Sequence, residues 1–481
     1  MRVEYFKVKG DVRKFDAKTG KFIISVSYET APPETTERIL GVAEAFGLGI
    51  DSGRRFVLYD NFRVAIGPGD IVYITGESGS GKSVLLRELE KDIRSGTSWT
   101  CIDIDEIKPA IGKPIVETVG SSLEEALELL SLVGLNDAYL FLRNYEHLSD
   151  GQKYRYKIAK MIESGAQFWI ADEFCSTLDR DTAKIVAFNL QKIARKLGRA
   201  VIVATTHTDL FEDLSPSIHI HKRFGREVTV KYYPSQPTKE CSLVKEMRVE
   251  EGTYEDWKKL AYFHYRSHRI ANVRKIFRLM RGDELCGVIV YSYPPPTCFG
   301  RRLVLPKISV RDLNENLSTI SRVVVHPKYR SIGLGQKIVR ETLPLVGTPY
   351  VEMVAVMAKY NPFAEKAGMK KIVESKPDER LVKIISRLKE MGFNTHLLAC
   401  RKYVLNKIRE LDEGSIKVIK EEFMDFPHPR FIRILKPDKN FLSKRAYVEE
   451  VKSASAEKLA RLIEVCSILS QTKVYLFWQR D

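Results

Sequence analysis

Long apolar stretches are missing from this sequence. No run among its 481 residues approaches the ~18 apolar residues that a membrane-crossing helix needs, so no membrane domain is expected. The opening segment, MRVEYFKVKGDVRKF, lacks the apolar core of a secretory leader. The seven cysteines, Cys101, Cys175, Cys241, Cys286, Cys298, Cys400 and Cys466, never form a C-x-x-C pair, so neither a zinc site nor a disulfide framework is expected. A cytoplasmic location is the expectation that follows. Glutamine is scarce, at seven against many Lys, Glu, Ile and Val, a composition that leans toward a heat-adapted source. No long heptad run occurs, which argues against coiled-coil arms.

What is present is a folded chain's composition, 44% apolar and 29% charged, with room for about three domains. The charge is uneven. Residues 1–240 carry a net −1 and residues 241–481 carry +17. The second half is therefore expected to meet a polyanion, nucleic acid before anionic membrane; the alternative is a solvated basic surface.

The stretch that organises the first half is Gly76-Glu77-Ser78-Gly79-Ser80-Gly81-Lys82-Ser83. It follows the apolar run Ile71–Ile74 and precedes the helix-forming run Val84–Leu89, giving strand, glycine-rich loop, helix. Such glycines let backbone N–H groups close around phosphate oxygens at a helix N-terminus. Lys82 would reach the β- and γ-phosphates, and the Ser83 hydroxyl would ligate Mg²⁺. A nucleoside triphosphate is the expected ligand. Downstream, the apolar strand Phe168–Ala171 ends in Asp172 and Glu173. Asp172 would hold Mg²⁺ through water and Glu173 would polarise the attacking water. A further strand, Val201–Thr206, ends in His207, placed to sense a γ-phosphate.

Between these elements lies Leu148-Ser149-Asp150-Gly151-Gln152, opening a predicted helix from Tyr154 to Glu163. Here the chain resembles the ATP-binding-cassette (ABC) ATPases, whose signature is L-S-G-G-Q. The resemblance spans about residues 50–230. It takes in the Walker A loop, the signature, Asp172-Glu173, a D-loop at Ser176–Asp179 and His207. It implies a homodimer in which Ser149, Asp150, Gly151, Gln152 and Asp179 of one copy face the ATP held by the other. Three departures stand out. Asp150 replaces a signature glycine. No glutamine occurs between Lys82 and Gln152, so the Q-loop stretch is assigned to 111–118. The adenine-stacking aromatic is open between Phe46 and Phe56.

Tyr232–Thr238, with two prolines, reads as a linker. A new unit then begins near Cys241. Expected strands are 244–249, 277–279, 285–293, 318–325, 350–356 and 369–373, with helices over 254–267 and 336–343. Arg330-Ser331-Ile332-Gly333-Leu334-Gly335 lies after an apolar strand and before a helix, again a phosphate-cradling arrangement. This stretch, with Val325-His326-Pro327 before it and Asn361 and Glu365–Gly368 after it, resembles the GNAT acetyltransferases. The resemblance spans about residues 244–375. It implies acetyl-CoA bound by Val323, Val325, Arg330, Ser331, Ile332, Gly333, Leu334, Gly335 and Asn361. Tyr360 is the implied acid, although the usual tyrosine position holds Ala364. For the base, Glu352 and His326 both stand.

From His264 to Arg281 there are six Lys or Arg and no acid. Arg266, Arg269, Arg274, Lys275, Arg278 and Arg281, beside Tyr262, Phe263 and Tyr265, suit phosphates and stacked bases. Core aromatics beside solvated arginines are the alternative. Arg301, Arg302, Lys307 and Arg311 would extend the surface.

The expected fold class is α/β. A β-rich lead-in (1–55) precedes an ABC-type P-loop ATPase domain (56–231) and a linker (232–242). A GNAT-fold α+β domain (243–376) and an α/β C-terminal extension (377–481) follow. Taken together the chain resembles archaeal ABC-type ATPases fused to a GNAT domain. The implied function is ATP-gated transfer of acetyl to an amine of RNA, tRNA included, before DNA. A protein or small-amine acetyltransferase and a non-catalytic ATP- and nucleic-acid-binding protein are the other readings.

Overall fold

The computed structural model describes residues 6–30, 36–49, 55–135, 137–264, 270, 272–305, 309–355, 362–439, 441–470 and 472–480. Alternation of apolar and polar residues builds the first sheet. In β2 (Lys21–Thr30), Phe22, Ile24 and Val26 are buried while the residues between them are not, as one covered face requires. β2 lies antiparallel between β1 (Phe6–Asp16) and β3 (Arg55–Ala65). Helix α1 (Glu37–Phe46) is capped by Thr36 and ends at Gly47, whose φ of 61° suits glycine. Phe46 is 75% exposed and Phe56 51%, so neither ring is claimed by the core.

The second sheet has the order β5-β6-β7-β4-β8-β9. Its strands are β4 (Ile71–Gly76), β5 (Cys101–Asp103), β6 (Phe168–Ala171), β7 (Ala200–Thr205), β8 (Ile218–Lys222) and β9 (Val228–Tyr232). All pair in parallel except β9. β4, β6 and β7 are buried at every position, and their unbroken apolar runs are what strands covered on both faces need. The helices are α2 (Lys82–Gly96), α3 (Leu123–Leu132), α4 (Ala138–Phe141), α5 (Asp150–Glu163), α6 (Arg180–Leu197) and α7 (Phe211–Leu214). One core joins β2 and β3 to α2 and β4 through Phe22, Ile24, Leu85, Leu89 and Ile74. A second gathers α3, α5 and α6 around Trp169, Tyr156 and Leu190.

The third sheet has the order β10-β11-β12-β13-β14-β16-β15. Its strands are β10 (Met247–Glu251), β11 (Val273–Arg281), β12 (Glu284–Ser292), β13 (Leu317–Val325), β14 (Tyr350–Ala355), β15 (Lys370–Ser375) and β16 (Lys473–Gln479). Helices α8 (Tyr254–Ala261), α9 (Val310–Asn316), α10 (Leu334–Thr342) and α11 (Phe363–Lys366) connect them. β13 and β14 pair in parallel, with 317–319 opposite 350–352. β14 runs on to Ala355.

Three expectations need correction. The strand expected at 244–249 begins at Met247, because Ser242–Glu246 closes into a 3-10 turn. The helix expected over 254–267 ends at Ala261. The last strand is not part of a separate extension: β16 inserts between β14 and β15, pairing antiparallel with both. The helices α12 (Glu379–Glu390), α13 (Arg401–Arg409), α14 (Glu413–Met424), α15 (Pro429–Leu435), α16 (Lys444–Lys452) and α17 (Ala456–Leu469) thus form an insertion before that strand. They bury a core of their own around Phe423, Phe431, Tyr447 and Leu462. No described helix is long and apolar enough to cross a membrane.

The chain divides into two compact units, but not at the predicted linker. One unit is Met1–Ile270, Ile276–Ile289 and Val323–Ile338; the other is Ala271–Lys275, Val290–Arg322 and Val339–Asp481. Parts of β11, β12 and β13, and the loop after β13, therefore belong with the first half.

Candidate functional site

β4 delivers the chain into the loop at Gly76, whose φ is 149°. Only glycine fits there: a Cβ would lie 2.0 Å from the Lys222 carbonyl oxygen. Gly79 and Gly81 also have positive φ, 75° and 101°, so the backbone curls as a phosphate cradle does. Gly81 sits at the N-cap of α2, and the Tyr59 hydroxyl donates to its carbonyl at 2.9 Å. Glu77, Ser78 and Gly79 are exposed. Lys82 Nζ donates to the carbonyls of Gly76 (2.9 Å) and Glu77 (2.7 Å). Burial pushes its pKa below the usual lysine value, and Asp172 and Glu173 only partly restore it. The Ser80 hydroxyl is buried with no partner among the described residues. A buried ammonium and a buried hydroxyl without a partner among the described residues, at a helix N-terminus, suit a polyanion.

Asp172 follows β6 directly, and one of its carboxylate oxygens accepts from Glu173 N at 2.9 Å. Glu173 and Cys175 both hold positive φ, 44° and 57°, a cost that tends to persist where geometry serves a site. Phe174 N donates to Ala204 O at 2.8 Å, which fixes this turn against the end of β7. Glu173 is exposed. His207 follows β7; its N–H donates to Thr205 Oγ1 at 3.2 Å and its carbonyl accepts from the Tyr73 hydroxyl. No three His, Cys, Asp or Glu cluster as a metal site among the described residues. A Mg²⁺ arriving with phosphates needs fewer protein ligands, and the Ser83 hydroxyl with the Asp172 carboxylate is the hard-oxygen pair that would hold it.

Ser149 caps α5 in a reciprocal box, with Gln152 Oε1 accepting from Ser149 N at 3.0 Å. The Asp150 side chain is 77% exposed and lies 3.9 Å from Lys153, so the substituted acid points to water. Gly151 is tight against α6, where an added Cβ would lie 2.9 Å from Thr182 Cγ2. Asp179 caps α6 by accepting from Thr182 N at 3.1 Å. The stretch 111–118 is tied to the chain before α5: Gly112 N donates to Glu146 (2.7 Å) and Ile115 N to Arg143 O (2.8 Å).

The second glycine-rich turn follows Val323 and Val325 on β13. Ser331 (φ 76°) and Gly333 (φ 89°) make the turn, Ile332 and Leu334 bury their side chains, and Gly335 lies in α10. The arginine of this turn is already engaged. Arg330 Nη1 bonds Asp137 Oδ2 at 2.9 Å and Nε donates to Val325 O at 3.3 Å. His326 is half-buried against Phe263 and Tyr329. Burial holds it below the usual histidine value; Glu284 opposes that, and the charges of Lys328 and Arg330 add to it.

The remaining expected site residues fare differently. Tyr360, Asn361, Arg266 and Arg269 lie outside the described residues. Three described members of the basic stretch, Arg274, Arg278 and Arg281, have partners within the chain. Arg278 reaches Glu250 at 3.1 Å and Asp256 at 3.5 Å. Arg281 reaches Glu246 at 2.6 Å and Asp181 at 2.8 Å. Arg274 donates to Leu317 O at 3.3 Å and its guanidinium lies 4.3 Å from the Tyr293 ring centre. Lys275 is half-buried. The acids that pair with Arg278 and Arg281 are distant in sequence, so a local charge count does not show them.

Glu352, expected as a base, is fully buried. Arg301 grips both oxygens (3.0 and 2.7 Å), and Thr319 (2.8 Å) and Tyr475 (3.0 Å) fill the remaining lone pairs. Such a carboxylate has no acceptor capacity left for a substrate proton. Arg301 also donates to Pro295 O at 2.7 Å, so it is a clamp rather than part of an acceptor surface. Sequence reasoning missed Arg301 and Tyr475 as its partners. It also missed Asp137, Asp181 and Asn189 beside the second turn, since each partner lies over a hundred residues away and carries no local signal.

No family model matches the chain. Among curated proteins it is similar to the cytochrome c biogenesis ATP-binding export protein CcmA of Gluconobacter oxydans, 31% identical over 191 residues, covering 37% of this chain and 85% of that protein. It is also similar to the methionine import ATP-binding protein MetN 1 of Oceanobacillus iheyensis, 30% identical over 195 residues, or 34% of this chain. The chain spans 57% of that importer's length. A solved structure described as the dimeric structure of a bacterial ABC transporter cassette aligns at 19% identity and a TM-score of 0.30, over 37% of this chain and 92% of that one.

Proposed function

Since the chain belongs, through its first half, to the ATP-binding-cassette ATPases, we propose that it is an ATP-driven acetyltransferase working as a homodimer. ATP binds at Gly76–Ser83, with Lys82 leaving its two carbonyls for phosphate oxygens. Glu173 orients and polarises the attacking water, and His207 stands at the γ-phosphate. Ser149, Gly151, Gln152 and Asp179 complete the site of a second copy. The geometry of Lys82, engaged only with its own loop's carbonyls beside the orphaned Ser80 hydroxyl, carries the ATP part of this reading.

The acetyltransferase part rests on the turn Arg330–Gly335, where Gly333 holds a positive φ and α10 begins at Leu334. A glycine-containing turn at a helix N-terminus suits the phosphates of a CoA ligand. In the transfer, the acceptor nitrogen forms a bond to the acetyl carbon. The carbon–sulfur bond breaks, the nitrogen's proton passes to a base, and the thiolate takes a proton as it leaves. His326, whose pKa burial holds below the usual histidine value, is the base in this reading; Tyr360 remains its acid. The acceptor is an amine of RNA, on the strength of the +17 charge of residues 241–481. The ion pairing of Arg278 and Arg281 favours a second reading in which the acceptor is a protein or small amine. Incubating the protein with labelled acetyl-CoA, Mg-ATP and either total RNA or a peptide mixture, followed by mass spectrometry, separates them. Label in nucleosides supports the first, label in peptides the second, and label in neither ends the acetyltransferase reading.

A further inference from the structure

The second glycine turn is held by side chains of the cassette's helices. Arg330, only 12% exposed at its side chain, is paired with Asp137. Lys328 Nζ lies 2.7 Å from Asp181 and 3.5 Å from Asp179. Arg281 shares the same Asp181 oxygen at 2.8 Å, and the Tyr329 hydroxyl approaches it at 3.4 Å. Asn189, on α6, donates to the Ser331 hydroxyl at 2.7 Å. Gly134 (φ 83°) makes room for that serine, since a Cβ there would lie 2.6 Å from its Oγ.

Two of these holders are also parts of the ATP machinery. Asp179 caps α6 and reaches Lys328 at once. Arg155, on the helix capped by Ser149, donates to Lys328 O at 3.3 Å. Arg155 is buried, and its Nε has no partner among the described residues. Burial, with Arg330's charge adding to it, pulls its pKa down to about 10, against the attraction of Asp179. A buried cation short of a carboxylate is an arrangement that small movements of α5 or Asp179 easily re-weight.

An anion arriving at Arg330 competes with the Asp137 carboxylate for the same guanidinium. Resting on the ATP and acetyl-CoA readings above, we propose that Asp137, Asp181 and Asn189 form a latch on the turn Arg330–Gly335. ATP-driven pairing of two copies, by shifting α5 and the segment before α6, releases it to take a phosphate-bearing ligand. The cassette thus sets the affinity of the second site rather than acting on the acceptor.

The test uses the full chain carrying Glu173→Gln, which slows hydrolysis and keeps ATP bound. Amide exchange of 326–337 and CoA binding by calorimetry are measured with and without Mg-ATP, with pairing followed by sedimentation. Faster exchange at 326–337 with ATP, and CoA affinity raised about tenfold, the size of one released charge-assisted bond, are expected. Asp137→Asn on this background should show the raised affinity without ATP and gain little from it. If that variant does not fold, Asn189→Ala, which loses only the bond to Ser331, should give a smaller gain. Pairing with no change of exchange at 326–337 overturns the latch. A change of exchange with no CoA binding in any state upholds the latch and overturns the acetyl-CoA reading instead.

Discussion

Two glycine-rich turns open helices in this chain, and the cations beside them are held in opposite ways. Lys82 spends its protons on two carbonyl oxygens of its own loop. Arg330 is bound to the carboxylate of Asp137, 193 residues away. Neutral carbonyls are weak competitors for phosphate, whereas a carboxylate is an anion already in place. The first turn is open to its ligand; the second opens only when something else moves. Similar local backbone therefore supports different readiness, and long-range pairing sets the difference.

Alanine at the glycines gives the largest expected contrast. Gly76→Ala puts a methyl 2.0 Å from a backbone carbonyl that cannot move without displacing β8 from β4. Loss of ATP binding and a large fall in melting temperature are expected. At Gly333 nothing lies within 4 Å of the added methyl, so only the positive φ costs, about 1–2 kcal/mol. Thermal unfolding with and without ATP checks both. A Gly76→Ala protein that melts and binds like the parent would remove the premise that the first turn is rigidly preformed.

The same contrast explains what was legible beforehand. Gly76–Ser83, Asp172 and Asp179 were readable because strand, turn and helix cap are all written within a few residues. The apolar runs of β4, β6 and β7 were readable as strands for the same reason. The second turn was readable as backbone but not as electrostatics, since Asp137, Asp181 and Asn189 are brought to it only by the fold. The arginines of β11 looked like a free basic wall for the same cause. Burial of Glu352 depends on Arg301, Thr319 and Tyr475, which sit on three separate elements. The place of β16 between β14 and β15 was hidden by the roughly hundred-residue helical insertion that precedes it.

Removing the cations gives the next contrast. Lys82→Ala should lower ATP turnover by at least about 100-fold, the usual loss for one preorganised donor at a reacting phosphate, with little change in melting. Arg330→Ala should do the reverse. It leaves Asp137 part-buried without its cation, still held by the Tyr139 N–H, costing about 1–3 kcal/mol of stability, while ATP binding at the first turn stays near the parent value. Phosphate-release assays and chemical denaturation read the two effects. Equal loss of ATP turnover in both variants would break the distinction between the turns.

The smallest expected difference is in acid sensitivity. Behind the first turn, His219 shares the Thr75 hydroxyl with His221, and burial, then the charges of His221 and Lys231, hold it below the usual histidine value. As the pH falls through about 6.5, the unfolded chain binds a proton that native His219 refuses, so stability drops. Beside the second turn, burial alone would raise the Asp181 carboxyl, but bonds from Lys328 and Arg281 outweigh it and hold it low. The stability it adds is present above its unfolded value, near pH 4, and is lost as the pH falls through its lower native value. Solvent screening keeps each contribution below about 1 kcal/mol. In urea unfolding from pH 7 to 3, His219→Gln should flatten the limb near pH 6, and Asp181→Asn the limb below pH 4. Because His326 and His428 are shifted in the same direction as His219, part of the first limb should survive His219→Gln and shrink further as His326→Gln and His428→Gln are added. A limb near pH 6 unchanged by His219→Gln would remove His219 as a source of acid sensitivity behind the first turn.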